Sequence, residues 1–275
     1  MQLLKFALSA VLMGSILGVS ACSKNDANTS NNNEITATTP VSGEASTLTE
    51  RNTQQRFIKT LQANFDKAGL KARIINVKAT EIPNWFWVTL DGFPAVLASS
   101  DGKYIFQGDM IRLGEDKIHN VSEDLQASDN KAEFAKLKKE DLIVYPAKGK
   151  TKHVVYVFTD ASCPYCHKLH EHMDAINSKG IEVRYIAWPR GEQFFPTMQS
   201  IWCSEDRKAA FSSAVAGLPV VASECTNPVM AQYQLGAKIG VNGTPAIYSE
   251  DGRYLAGYIE PDALLQRLEE TTPKK

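Results

Sequence analysis

The alternation of apolar and polar positions divides the chain into a short apolar run at its start, a long polar stretch, and two patterned regions. Residues 51–68, RNTQQRFIKTLQANFDKA, set Phe57, Ile58, Leu61 and Phe65 at helical spacing, with Gly69 behind them as a C-cap. The runs ARIINVKAT, WFWVTL, PAVLAS and KYIFQGDMIRL then read as strands, with turns at Asp91-Gly92 and Asp101-Gly102, the second closing a hairpin. Together they predict a small α+β unit over residues 51–115. Residues 122–142 are charged, with Leu125, Phe134 and Leu137 at helical intervals, which predicts a solvated connecting helix within a linker of residues 116–141. The second patterned region, 142–275, opens with LIVYPA and continues with a strand at 153–158, a helix from about 164 to 178, and a strand at 181–187. Helical stretches follow around 196–216 and 228–238. A strand in PAIYSE then turns at Asp251-Gly252 into RYLAGYI, and a last helix covers about 261–270. A β-α-β opening closed by a hairpin and a helix is an α/β arrangement, and the helical stretch in its middle reads as an insertion.

The first apolar run changes where this fold is expected to work. Lys5 and FALSAVLMGSILGVSA have the basic start, apolar middle and small-residue end of a secretory signal over residues 1–21, too short for a membrane span. The run closes on Val19-Ser20-Ala21-Cys22, which resembles a bacterial lipobox and predicts cleavage before Cys22 and lipidation of it; the alternative is an ordinary signal with Cys22 merely nearby. By analogy with bacterial lipoproteins, Ser23 rather than Asp after the anchor favours the outer membrane. The polar stretch is rich in Asn, Thr and Ser and buries too little apolar surface to offset the entropy of ordering, so residues 22–50 read as the lipidated cysteine and a disordered tether. A formal net charge of -1 offers no footprint for nucleic acid.

The chain has five cysteines. With Cys22 lipidated, the other four make an even number, which fits two disulfides in an exported protein. Cys163 and Cys166 stand three positions apart directly after an apolar strand, in VVYVFTDASCPYCHKLHEHM. Three chemistries use that spacing: a dithiol redox pair, half of a zinc site, or, since His167 follows, covalent haem attachment. Pro164 suits the first helical position, which puts Cys163 at or beside the N-cap, where unpaired N–H groups and the helix dipole favour thiolate. Cys166 lies one turn deeper and more shielded. The expected roles are therefore Cys163 as attacking nucleophile and Cys166 as resolving thiol. Zinc wants a second close pair, and Cys203 and Cys225 lack ligand spacing. Against haem stand the strand that leads straight into the motif and the proline between the cysteines. His167, His170 and His172 read as surface helix residues, with His167 tuning the charge of the pair. Thr244-Pro245, between a glycine turn and an apolar strand, is a candidate cis peptide.

In VFTDASCPYCHKLHEHM, IEVRYIAWPR, IWCSEDRKAAF, LGAKIGVNGTPAIY and GYIEPDALLQRL the chain resembles the periplasmic disulfide isomerases of the DsbC/DsbG type; SSDGKYIFQGDMI and DLIVYPA fit more loosely. The resemblance runs from about residue 51 to 270. It implies an α+β N-terminal cystatin-like dimerisation domain, a linker helix, and an α/β thioredoxin-like domain with a helical insertion. It further implies Cys163 and Cys166 as the redox pair tuned by Pro164, Tyr165 and His167, Thr244-Pro245 as the cis-Pro element facing the sulfurs, and Cys203–Cys225 as a structural disulfide. The activity implied is isomerisation or reduction of non-native disulfides in exported proteins by a homodimer, with no metal or organic cofactor and with electrons from a membrane reductase of the DsbD type. The location implied is the periplasm, with membrane contact only through a lipid anchor. Pro164-Tyr165 between the cysteines follows the DsbG branch rather than the Gly-Tyr of the general isomerases. A narrower reductase of oxidised single cysteines, a holdase chaperone and a dithiol oxidase are the alternatives.

Overall fold

A computed structural model describes residues 43–114, 118–222 and 224–271, with side chains from Arg51 onward. The signal at 1–21, Cys22 and the tether up to residue 42 lie outside the described residues.

Helix α1 (Gly43–Lys67) begins earlier than its apolar spacing predicts and takes in the last residues of the expected tether. Its anchored part supplies the nucleus. Residues 44–50 contain no Gly or Pro, so each further residue adds one hydrogen bond at little cost. Phe57, Leu61 and Phe65 recur every four residues and bury one stripe of α1 on the sheet of β1 (Ile74–Ala79), β2 (Trp85–Leu90), β3 (Phe93–Ser99) and β4 (Ile105–Phe106), against Val77, Val88, Leu90, Val96 and Ala98. The four strands pair in sequence order, all antiparallel. Full burial of each such side chain contributes roughly 1.5–3 kcal/mol. The other face of this sheet carries Trp87 and Leu97, packed with Met110. A separate hairpin joins β5 (Ile111–Leu113) to β6 (Ile118–Asn120).

The connecting helix differs from its prediction in extent and surroundings. Helix α2 (Val121–Phe134) is shorter than the 116–141 linker, because the β5–β6 hairpin takes residues 118–120 and the Asn120 side chain caps the helix by accepting from Glu123 N at 2.9 Å. Nor is it solvated: Ala127, Asn130 and Phe134 are buried. Asp129 on one side accepts from Trp87 Nε1 at 2.8 Å and Thr89 Oγ1 at 2.9 Å. On the other side Asn130 donates to Gly252 O at 2.9 Å, and Glu133 pairs with Lys238 at 3.0 Å. Gly252 sits at φ +89°, where a Cβ would collide with the Ala127 carbonyl.

Beyond a 3₁₀ turn at Lys139–Asp141 the second sheet has order β11-β10-β8-β9-β7. Its edge is β7 (Ile143–Tyr145), and its centre is β8 (His153–Thr159), parallel to β9 (Ile181–Ala187). Two helices join them, α3 (Pro164–Glu171) and α4 (Met173–Ser178). The helix expected over 164–178 breaks at His172, whose N–H turns back to Leu169 O at 3.2 Å in a tighter 3₁₀-type bond. The insertion is α5 (Phe195–Cys203), α6 (Arg207–Val215) and α7 (Val229–Ile239). Its first stretch divides because Asp206 caps α6, accepting from Lys208 N and Ala209 N at 3.1 and 3.0 Å. Strands β10 (Ala246–Ser249) and β11 (Tyr254–Ala256) form the closing hairpin before α8 (Pro261–Thr271). Apolar groups cover both faces of β8. Val155 and Val157 face the core under α3 and the insertion, while Tyr156 and Phe158 face a second core completed by Phe134 of α2. That double burial is why β8 reads as a continuous apolar run rather than an alternating one.

Candidate active site

Strand β8 delivers the chain to the site, and the residue after it fixes the turn. Asp160 is 1% exposed. One carboxylate oxygen accepts from Ser162 N, the other from Arg190 N, both at 2.8 Å, and Arg190 Nε stands 3.4 Å from the latter. Arg190 also donates to Ser162 O at 3.1 Å, so the loop is tied to the segment after β9. Cys163 N donates to Asp160 O at 3.0 Å, which leaves Cys163 as the N-cap of α3 with Pro164 at its first position.

Cys163 and Cys166 are free thiols, 2% and 0% exposed. Exposure therefore hardly separates them; their electrostatics do. The Cys163 thiol is pulled down to about 5, first by the hydrogen bond from Cys166, then by Thr244 and the backbone N–H groups of Tyr165 and Cys166 at the start of α3, against the cost of burial. Burial pushes the Cys166 thiol far up, and the charge forming on Cys163 pushes it further. As a thiol, Cys163 donates to Thr244 O at 3.1 Å. Once ionised it loses that bond and relies on the donors just named. The Thr244 hydroxyl is buried with no hydrogen-bond partner, which leaves it free to turn toward that charge.

Thr244-Pro245 is a cis peptide. It reaches the cysteines through strand register: β10 runs antiparallel beside β8 with Ala246 opposite Phe158, so the residues just before β10 meet the end of β8. His167 Nε2 donates to Ala161 O at 2.6 Å, fixing its ring against the loop in front of Cys163. Tyr165 is 62% exposed and borders a groove of about 610 Å³ shared with Thr244, Pro245, Tyr254 and Tyr258. Among the described residues, no cluster of three or more His, Cys, Asp or Glu is arranged to hold a metal ion.

Cys203 and Cys225 stand outside this constellation. They form a disulfide that ties the end of α5 to the segment before α7, with Cα atoms 5.7 Å apart. Sequence reasoning passed over Asp160 and Arg190; an acid just beyond the apolar run VVYVF was the available signal, since a buried carboxylate demands partners. It also read His170 as a surface residue. The ring is instead half-buried, because Phe211 of α6 packs over it with ring centres 5.2 Å apart.

Comparison with known proteins follows the same division. A family described as "Thioredoxin-like domain" matches residues 138–272, and one described as "Disulfide bond isomerase protein N-terminal domain" matches residues 38–123. The chain is 39% identical over 220 residues to the thiol:disulfide interchange protein DsbC of Salmonella typhimurium, covering 76% of this chain and 89% of that protein. It is 41% identical over 174 residues to the protein of the same name from Dickeya dadantii, covering 62% and 71%. A solved disulfide interchange protein from Neisseria gonorrhoeae aligns at 29% identity with a TM-score of 0.43, covering 48% of this chain and 97% of that one.

Proposed function

This chain belongs to the DsbC family of thiol:disulfide interchange proteins and is a thiol–disulfide oxidoreductase, and on that premise we propose that it rearranges non-native disulfides in exported proteins through Cys163 and Cys166. The observation that carries this reading is the pair of free thiols at the start of α3, Cys163 at its N-cap and Cys166 one turn in, with the Cys163 sulfur 3.1 Å from Thr244 O beside the cis Thr244-Pro245 bond. Cys163 thiolate attacks a substrate disulfide and forms a mixed disulfide. A substrate thiolate then attacks a second sulfur and releases Cys163 reduced. Where rearrangement stalls, Cys166 attacks Cys163 and frees a reduced substrate. Attack gains from thiolate fraction but loses nucleophilicity as pKa falls, so a moderate depression serves best.

Pro164, Tyr165 and His167 tune the pair: Pro164 through the helix start, His167 through the loop carbonyl, Tyr165 through the substrate groove. Cys203–Cys225 is structural. The N-terminal region leaves Phe93, Ile105, Phe106, Ile111, Leu113 and Ile118 exposed around the β4 edge and the β5–β6 hairpin. A second copy covers such a surface by two-fold pairing, which supports a homodimer with two sites. The signal and lipobox support a periplasmic protein held at the outer membrane by Cys22, re-reduced by a membrane reductase of the DsbD type.

Trapping tests the assignment of roles. Cys166→Ser blocks resolution and should accumulate mixed disulfides with exported proteins, whereas Cys163→Ser should accumulate none. Equal accumulation by both removes the assignment.

A further inference from the structure

Resolution needs charge on the Cys166 sulfur in a place where burial opposes it. In the mixed disulfide Cys163 is neutral and no longer takes the Cys166 hydrogen, so of the influences that push the Cys166 thiol up, burial alone remains. The groups that meet the sulfur there set how fast the step runs.

Strand alternation places one such group. Val155 and Val157 of β8 face the core under α3, so Thr159, two residues on, turns its side chain to the same side. The buried residues of α3 are Cys166 and Leu169. Thr159 is 0% exposed and its backbone is pinned: Trp188 N donates to Thr159 O at 2.9 Å, and β9 sets Ala187 opposite it. The hydroxyl on this fixed position is buried with no hydrogen-bond partner. A third valine would fill the place without stranding a polar group, so the hydroxyl calls for a use. It lies within reach of the Cys166 sulfur, as does the backbone N–H of Asp160, and both favour the charged sulfur. The Asp160 carboxylate holds that turn, accepting from Ser162 N and Arg190 N at 2.8 Å. The arrangement mirrors the one at Cys163, where the unpartnered Thr244 hydroxyl and the first N–H groups of α3 meet the other sulfur. The titratable neighbours of Cys166 leave the Thr159 hydroxyl uncontested. Asp160 is engaged as described, burial keeps Tyr185 of β9 protonated, and His170, one turn along α3, has its Nε2 2.9 Å from Ser212 Oγ.

We propose that the Thr159 hydroxyl, the last side chain of β8 beneath α3, donates to the Cys166 sulfur as charge develops there and so speeds resolution, an inference that rests on the dithiol reading above. Thr159 keeps its proton throughout; it turns its O–H toward the sulfur. The Cys166 sulfur attacks the Cys163 sulfur of the mixed disulfide. The Cys163–Cys166 bond forms, the bond from Cys163 to the substrate sulfur breaks, and the substrate leaves with the electron pair. The proton lost by Cys166 is balanced by the one the leaving substrate sulfur takes up. The protein dithiol is oxidised by two electrons and the substrate disulfide reduced by two. A donor held unpartnered until the charge forms costs no reorganisation of a competing bond, which is how preorganised donors act in other active sites.

Rapid mixing of the reduced full chain with the aromatic disulfide DTNB separates the steps. The first phase is attack by Cys163 and releases one coloured thiolate; the second is resolution by Cys166 and releases another. Thr159→Val keeps the shape and removes the hydroxyl. It should slow the second phase roughly tenfold or more, the share of a hydrogen bond to a charged acceptor, and leave the first phase unchanged. Because the donor favours the charged sulfur, its loss should also displace the pH profile of the second phase to higher pH. Thr159→Ser, which keeps the hydroxyl, should restore most of the rate. Stability of Thr159→Val in urea should stay level or rise, since no partner is stranded. A second phase unaltered in Thr159→Val overturns the proposal, as does equal slowing of both phases. Failure of Thr159→Ser to restore the rate assigns the effect to packing and overturns it too. Loss of the fold in Thr159→Val does the same, because the hydroxyl would then serve the structure rather than the sulfur. Cys166→Ser must lack the second phase; if it keeps one, the dithiol reading fails rather than the role of Thr159.

Discussion

Replacing Cys166 with alanine removes the S–H that donates to the Cys163 sulfur, the largest of the influences pulling that thiol down to about 5. A hydrogen bond to a charged acceptor contributes about 1.5–3 kcal/mol, and one pKa unit corresponds to about 1.4 kcal/mol, so the midpoint of Cys163 should rise by about one to two units. The start of α3 and the Thr244 hydroxyl remain in place, so the thiol stays below that of a free cysteine. The sign is that of an acid whose charged form the fold favours: reactive thiolate is fully present well above the midpoint and is lost as pH falls through it. At about pH 6 the thiolate fraction should drop from roughly nine-tenths to between about a half and a tenth, and above about pH 9 the two proteins should converge. The assay is the rate of alkylation by iodoacetamide across pH, with thiolate absorbance followed in parallel. An unchanged midpoint in Cys166→Ala would refute the reasoning and assign the depression to the helix terminus alone.

Three further outcomes are expected. Joint replacement of Cys203 and Cys225 by alanine opens a link across 22 positions and should lower stability by about 3 kcal/mol in urea titration while leaving the alkylation profile of Cys163 unaltered; loss of exchange in protein that is still folded removes the structural assignment. Leu113→Asp, at a position 81% exposed, should cost the monomer little and shift mass by light scattering from dimer to monomer; an unaltered mass directs the pairing elsewhere. Cys22→Ala should move the protein from the membrane fraction to the soluble one, and a wild-type protein already soluble in the periplasmic fraction ends the lipid-anchor reading.

Much of this molecule is written locally. The bounds of β9 follow from seven residues, IEVRYIA, and the start of α3 from one proline, because each rests on interactions within a turn or a strand. The Asp251-Gly252 turn is legible for the same reason. Its second use, a glycine without which α2 could not approach, is not, since the colliding carbonyl belongs to Ala127, far away in sequence. The stripe Phe57, Leu61, Phe65 announced a helix, but not where its free end would stop, because propagation is nearly neutral per residue. The solvated reading of α2 failed because charge on a helix face signals polarity, not water. Asp129 and Glu133 spend theirs on Trp87, Thr89 and Lys238.

The site divides along the same line. The spacing of Cys163 and Cys166, the proline between them and the strand before them are consecutive residues, so dithiol chemistry and its polarity can be inferred from a few turns of backbone. Thr244 meets the Cys163 sulfur across 81 positions, and only the pairing of β10 with β8 makes them neighbours. The His170 ring becomes half-buried only when α6, supplied by the insertion, closes over it. Burial and long-range partnership arise from the packing of distant elements, and they set the electrostatics. Residue order brings the two thiols together; the folded arrangement sets their pKa values.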